Sequence, residues 1–200
     1  MQRIIGVLLF FVLASAQAAL VDRGGGFIYD DVQDITWTQN ANINGLMDWN
    51  TSVAWADSLS LYDSVRDVTW DDWRLATTLQ PDASCSSQSG STSYGYNCTG
   101  SEMGHLFNVD GISSSTMGLF TNVQSDVYWS GTEYAPITTS AWNFYFSFGF
   151  QGYDNKDIYN YAWAVRDGDV AASVVPIPAA AWLFGSGLGL LGWLRRRQNA

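Results

Sequence analysis

Three aromatic segments near the end of the chain decide how it folds: DVYWSGTEY (residues 126–134), AWNFYFSFGF (141–150) and YAWAVRDGD (161–169). In each, aromatic residues recur at alternate positions, the period of a strand with one buried face. Polar turn residues separate them, so the spacing predicts a run of strands. Upstream, FIYDDVQDITWTQ (27–39) reads as a hairpin, with Phe27 to Tyr29, an Asp-rich turn, then Ile35 to Trp37. In WNTSVAWADSL (49–59) the period changes. Trp49, Val53, Ala56 and Leu59 fall at helical spacing, and Asp48 or Asn50 is placed to cap the helix. GSEMGHLFNV (100–109) predicts a second, shorter helix, with Ser101 capping and Met103, Leu106 and Phe107 facing inward. The order is hairpin, helix, strand, long loop, short helix and a run of strands. That order predicts an α+β domain with an antiparallel sheet.

Composition agrees. The chain holds ten each of Trp, Tyr and Phe, two of the Trp in the tail, with much Gly, Ser, Thr, Asn and Asp. Such a mixture favours short strands and long ordered loops over a helical bundle. Arg3, Arg195, Arg196 and Arg197 are four of the nine basic residues, while all nineteen acidic residues lie between the ends. The middle therefore carries five positive charges against nineteen negative, or −14. So acidic a surface argues against nucleic acid and anionic lipid as partners. It is compatible with divalent cations and neutral glycans, although acidity also serves solubility alone.

The two ends read as targeting segments. Arg3 precedes an apolar core, Ile4 to Leu13, and small residues follow, ending in Ala16, Gln17 and Ala18. This is the pattern of a secretory signal peptide over residues 1–18, cut after Ala18, with a core too short to span a bilayer permanently. Export makes the cysteines readable: Cys85 and Cys98 bracket SSQSGSTSYGYN, a loop with little else to hold it. In an oxidising compartment one disulfide is expected, contributing about 3 kcal/mol by loop entropy. Two thiolates with no nearby His make a poor metal site.

Several residues could carry chemistry. His105 is the chain's one histidine; no elbow motif marks a nucleophile near it, and a partly exposed helix residue is the plainer reading. Gln80-Pro81-Asp82 matches by letters a calcium-binding tripeptide of galactose-type C-type lectins, but no companion Trp-Asn-Asp follows, and turn formation explains it equally. Asp30, Asp31 and Asp34 crowd the first hairpin's turn; calcium is the cation such oxygens would suit, and Asp also simply suits turns. Arg74 and Arg166 sit among acids and aromatics, where pairing with Asp72 or Asp167 and covering a ring is the expected use. Trp129 and Glu133, Trp142 and Arg166 are the residues expected to line a ligand surface, the tryptophans by stacking on sugar rings unless they are core.

WDDWRLATT (70–78), YWSGTEY (128–134) and AWNFYFSFGFQGYDNKDIYNYAWAVRDGD (141–169) together resemble the DUF1566 family, also called the Lcl C-terminal domain. The resemblance covers nearly the whole body, residues 19–172; it departs at Ala76, where the family usually has proline. It implies a C-type-lectin-like architecture and binding of glycan or matrix. The tail, VPIPAAAWLFGSGLGLLGWLRRR (175–197), is similar to the PEP-CTERM sorting signal, whose pattern is a Pro-x-Pro motif, an apolar helix and a basic end. Here Pro176 and Pro178 supply the first element and Arg195, Arg196 and Arg197 the last. This resemblance implies recognition by an exosortase in a Gram-negative bacterium that makes exopolysaccharide. The transmembrane helix within residues 173–200 would then anchor the chain in the inner membrane only until it is cut. The combined expectation is a non-enzymatic, monomeric protein of the cell surface or biofilm matrix that binds extracellular polysaccharide or a surface protein. An enzyme on a formylglycine-generating-enzyme-like fold is the remaining alternative.

Overall fold

The structure, a computed structural model, describes residues 20–171 of the chain. The expected signal peptide with its cut at Ala18, and the tail with Pro176, Pro178, Arg195, Arg196 and Arg197, lie outside the described residues. Among the described residues no helix is long and apolar enough to cross a membrane.

Strands β1 (Leu20–Gly24), β2 (Phe27–Asp30) and β3 (Ile35–Thr38) open the domain as an antiparallel meander. The expected hairpin is present, and its acidic residues build the turn. Asp30 Oδ1 accepts the backbone N–H of Val32 and of Gln33, each at 3.0 Å, and the Tyr29 hydroxyl donates to Asp34 at 2.8 Å. Asp34 has φ 52°, a left-handed conformation that Asp tolerates better than most side chains. After β4 (Leu46–Met47), helix α1 (Trp49–Asp57) starts on Asp48, whose carboxylate accepts the Thr51 N–H at 3.0 Å.

Strands β5 (Leu61–Asp63) and β6 (Val68–Trp70) then repeat the first hairpin. YDDVQDITW at 29–37 and YDSVRDVTW at 62–70 share one spacing, which sequence reading overlooked. Asp63 Oδ1 accepts from Val65 and Arg66, Tyr62 donates to Asp67, and Asp67 has φ 54°. The copies differ at three positions, and one of them changes the partner of the buried turn carboxylate. Gln33 donates its amide to Asp30 Oδ2 at 2.7 Å, whereas Arg66 forms an ion pair with Asp63 at 2.6 Å.

Strand β7 (Arg74–Leu75), the small hairpin β8 (Ser87–Ser89) and β9 (Thr92–Tyr94), and helix α2 (Glu102–Asn108) follow. Strands β10 (Val127–Glu133), β11 (Ser140–Tyr145), β12 (Phe150–Asn155), β13 (Asn160–Tyr161) and β14 (Ala164–Asp167) complete an α+β domain with two short helices. There are two five-stranded sheets, ordered β1-β2-β3-β14-β7 and β12-β11-β10-β13-β4. The first is antiparallel throughout; the second contains one parallel pair, β10 with β13, a departure from the expected antiparallel sheet. It arises because YAWAVRDGD is two strands, β13 in the second sheet and β14 in the first, so the chain crosses between sheets at Ala162 and Trp163. AWNFYFSFGF also divides. β11 ends at Tyr145, and Gly149, at φ 74°, turns the chain into β12.

Strands β10 and β11 are buried on both faces, so their alternation separates two cores rather than core from water. Tyr128 and Phe144 join Trp37, Phe146 and Trp163 in the larger cluster, where the Trp37 and Trp163 rings meet edge-on with centroids 5.0 Å apart. Trp129 and Ala141 face the other way, onto Met47 and Ala56 of the α1 side. In α2, Met103 and Leu106 are buried as expected, and the half-buried Phe107 packs on Phe144 and Phe146. Ser101 holds the cap position, but its hydroxyl accepts the Leu79 N–H and makes no cap bond.

Candidate functional site

Pairing of β11 with β12 sends Phe144 and Gln151 to the core and places Tyr145 opposite Phe150 on the other face. Phe148, in the turn between them, is 51% exposed, and Tyr96 of the long loop is 48% exposed. The four rings form one surface cluster. Tyr145 stacks on Phe148 with centroids 5.2 Å apart, and Tyr96 meets Phe150 edge-on at 5.3 Å. The loop is fastened in three ways. Gly95 bridges to Gln151, the Ser86 N–H donates to the Tyr96 carbonyl at 2.8 Å, and Cys85 and Cys98 form the expected disulfide. The bridge thus holds an aromatic ring against the β11–β12 turn. On the same sheet face the Asn143 amide donates to Asp154 at 2.6 Å. Burial, with Asp154 and Asp126 nearby, raises the pKa of the Tyr145 phenol, so its hydroxyl stays protonated at neutral pH. An exposed aromatic patch held by a fastened loop is an arrangement that binds flat, partly apolar ligands.

The four residues expected to line a ligand surface do not meet there. Trp129 is 0% exposed, its indole donating to the Met47 carbonyl at 3.0 Å, and Trp142 is 2% exposed beneath Tyr134 and Tyr153. Trp129 offers no face to a sugar, because strands buried on both faces put its ring inside. Trp142 is nearly as buried, but its edge lines one cleft with Glu133 and Gln80. Arg166 is buried under a bidentate pair with Asp72, at 2.8 and 2.7 Å, and its guanidinium lies 4.2 Å over the Trp70 ring. Glu133 stays at the surface, paired with Lys156, and the cleft of about 230 Å³ that it lines with Trp142 brings two of the four expected residues together.

The expected Arg–Asp pairing is present and crossed between strands. Arg74 takes Asp167 at 2.5 Å and Glu102 at 2.8 and 2.7 Å, while Arg166 takes Asp72. Burial opposes the Arg74 charge, but the Glu102 and Asp167 carboxylates outweigh it and raise the pKa. The hydrogen-bonded Arg166 holds Asp72 below the usual carboxylate range. Arg74 also borders the larger groove, about 500 Å³ between α1 and β7, with Trp49, Asn50, Asp57 and Thr77. Lys156 sits 4.1 Å over the Trp49 ring and covers one face of it.

Gln80 and Asp82 are occupied by the loop they belong to. The Gln80 amide donates to the Ser93 carbonyl and accepts its N–H, while Asp82 accepts from Ser84 and Gly100. Asp30, Asp31 and Asp34 do not converge. Asp34 takes the Tyr29 hydroxyl, Asp31 is exposed, and Asp30 turns inward, fully buried. There the Asp30 carboxylate lies with His105 and Asp110, their ligand atoms all within 4.8 Å of one another. Burial, then the Asp30 charge, pushes the Asp110 carboxyl up to about 6, with His105 opposing and Asp31 adding to the rise. Asp30 is too far along the chain from His105 and Asp110 for spacing to have joined them.

No known family model, curated protein or solved structure matches the chain.

Proposed function

We propose that the chain is an exported, non-enzymatic surface or biofilm-matrix protein that binds extracellular polysaccharide through the Tyr96, Tyr145, Phe148 and Phe150 cluster. The carrying observation is that cluster itself: four rings gathered at the surface, two of them about half exposed, with Tyr96 brought to the β11–β12 turn by a loop that a disulfide closes. Sugar rings present apolar C–H faces that stack on aromatic side chains. The reading takes the body as a C-type-lectin-like domain of the DUF1566 kind, acting as a monomer. The disulfide argues against a formylglycine-generating-type enzyme, because Cys85 and Cys98 then have no thiol for copper. In this reading the leader is removed and the tail is a temporary inner-membrane anchor that an exosortase cuts near Pro178.

Two measurements test it. The full-length chain is titrated against the exopolysaccharide of the producing bacterium, with and without chelator and with soluble fragments as competitor. Saturable, competed binding that ignores the chelator is expected, since stacking needs no calcium. Absence of saturable binding moves the function to contact with other surface proteins. For the tail, intact mass of the mature native protein should show a terminus near Pro178. A mass that still includes Leu183 to Arg197 rejects the sorting role.

A further inference from the structure

We propose that Asp30, His105 and Asp110 form a binding site for one divalent transition-metal cation of the zinc class. The internal repeat argues for a missing positive charge. In the second hairpin the buried turn carboxylate, Asp63, is neutralised by Arg66 at 2.6 Å. In the first, the matching position holds uncharged Gln33, and Asp30, 0% exposed, meets a second carboxylate instead. Burying a carboxylate without a counter-charge is costly. The five basic side chains among the described residues are engaged elsewhere: Arg23 with Asp169, Arg66 with Asp63, Arg74 with Glu102 and Asp167, Lys156 with Glu133, and Arg166 with Asp72.

The remaining geometry points inward to one spot. The Asp110 side chain is 2% exposed, and its Oδ2 has no hydrogen-bond partner. His105 Nε2, also buried without a hydrogen bond, is 3.8 Å away. Asp30 is oriented as a ligand would be. Its Oδ1 takes the Val32 and Gln33 N–H groups, and its Oδ2 takes the Gln33 amide, which also donates to the Glu102 carbonyl at 3.3 Å. One lone pair on Oδ2 is left for a cation. Zinc bonds of about 2.0–2.2 Å place ligand atoms roughly 3.3–3.5 Å apart, so the cluster closes on the ion by roughly 1 Å of side-chain movement. One imidazole nitrogen and two carboxylates suit zinc; calcium, which seeks about six to eight oxygens, is poorly served. The ion would tie the first hairpin to the end of α2.

The test uses the untagged full-length chain, stripped with chelator and dialysed, then titrated with Zn²⁺ alone by calorimetry. One equivalent is expected to bind and to raise the melting temperature. Asp110→Asn and His105→Gln should each weaken binding by about 100-fold or more, and Gln33→Ala, which removes the supporting amide, by about tenfold. Gln33→Arg copies the second hairpin, so it should abolish binding while keeping the fold and raising stability in chelator. Asp34→Asn should bind as the parent does. Co²⁺ bound to the parent should show visible d–d absorption without a thiolate charge-transfer band. Failure of the folded parent to bind one equivalent overturns the proposal, as does equal binding by folded Gln33→Arg or Asp110→Asn.

Discussion

Gly104→Ala should destabilise the domain by about 3 kcal/mol or more, although alanine is the better helix former by about 1 kcal/mol. Gly104 lies in the middle of α2, where that helix presses on the disulfide loop. A Cβ there would fall inside the van der Waals surface of the Cys98 carbonyl oxygen, which belongs to backbone and cannot rotate aside. Either α2 withdraws from the larger core, uncovering Met103 and Leu106, or the loop that presents Tyr96 shifts. For a domain of this size the loss corresponds to a fall in melting temperature on the order of 10 °C. Thermal unfolding of the variant beside the parent checks it; an unchanged or higher melting point would mean that the helix and loop are not in contact.

Asp72→Ala should cost about 2–3 kcal/mol. Breaking a wholly buried ion pair costs about 3–5 kcal/mol, mostly because one charge is left behind; the half-exposed Asp72 lowers the figure here. The stranded group is Arg166, whose side chain is 9% exposed and whose Nη1 already lacks a partner. The pH dependence follows from the lowered Asp72 pKa. The unfolded chain takes up this proton more readily than the folded one. The stabilisation is therefore present above about pH 4 and is lost as pH falls toward the folded value. Chemical unfolding followed from roughly pH 7 to pH 3 should show a smaller acid-induced loss in Asp72→Ala than in the parent. Parallel curves would assign the pair no part in acid sensitivity.

Much of the fold was legible where local chemistry decides it. The Phe27–Trp37 hairpin follows from its turn residues, α1 from its spacing and the Asp48 cap, and the disulfide from two cysteines bracketing an otherwise unsupported loop. What was not legible depends on layers. Alternation in YWSGTEY and AWNFYFSFGF fits a strand facing water and a strand between two cores equally well, so Trp129 and Trp142 read as surface candidates while they fill the interior. The two most exposed rings of the assigned cluster, Phe148 and Tyr96, lie in a turn and a loop, where no period marks direction. The S-F-G run before Phe150 was the one local sign of that turn. Asp30 was singled out from sequence, but its neighbours are His105 and Asp110 rather than Asp31 and Asp34, because the turn directs its carboxylate inward.

Polysaccharide binding by Tyr96→Ala/Phe148→Ala, measured beside the parent on the same exopolysaccharide, tests the assigned surface most directly. Both side chains are about half exposed, so their removal should leave melting temperature and near-ultraviolet circular dichroism nearly unchanged. Stacking on aromatic rings is worth about 1 kcal/mol or more each, so the double variant should bind at least roughly tenfold more weakly. Equal affinity in a folded double variant would contradict the role given to this surface.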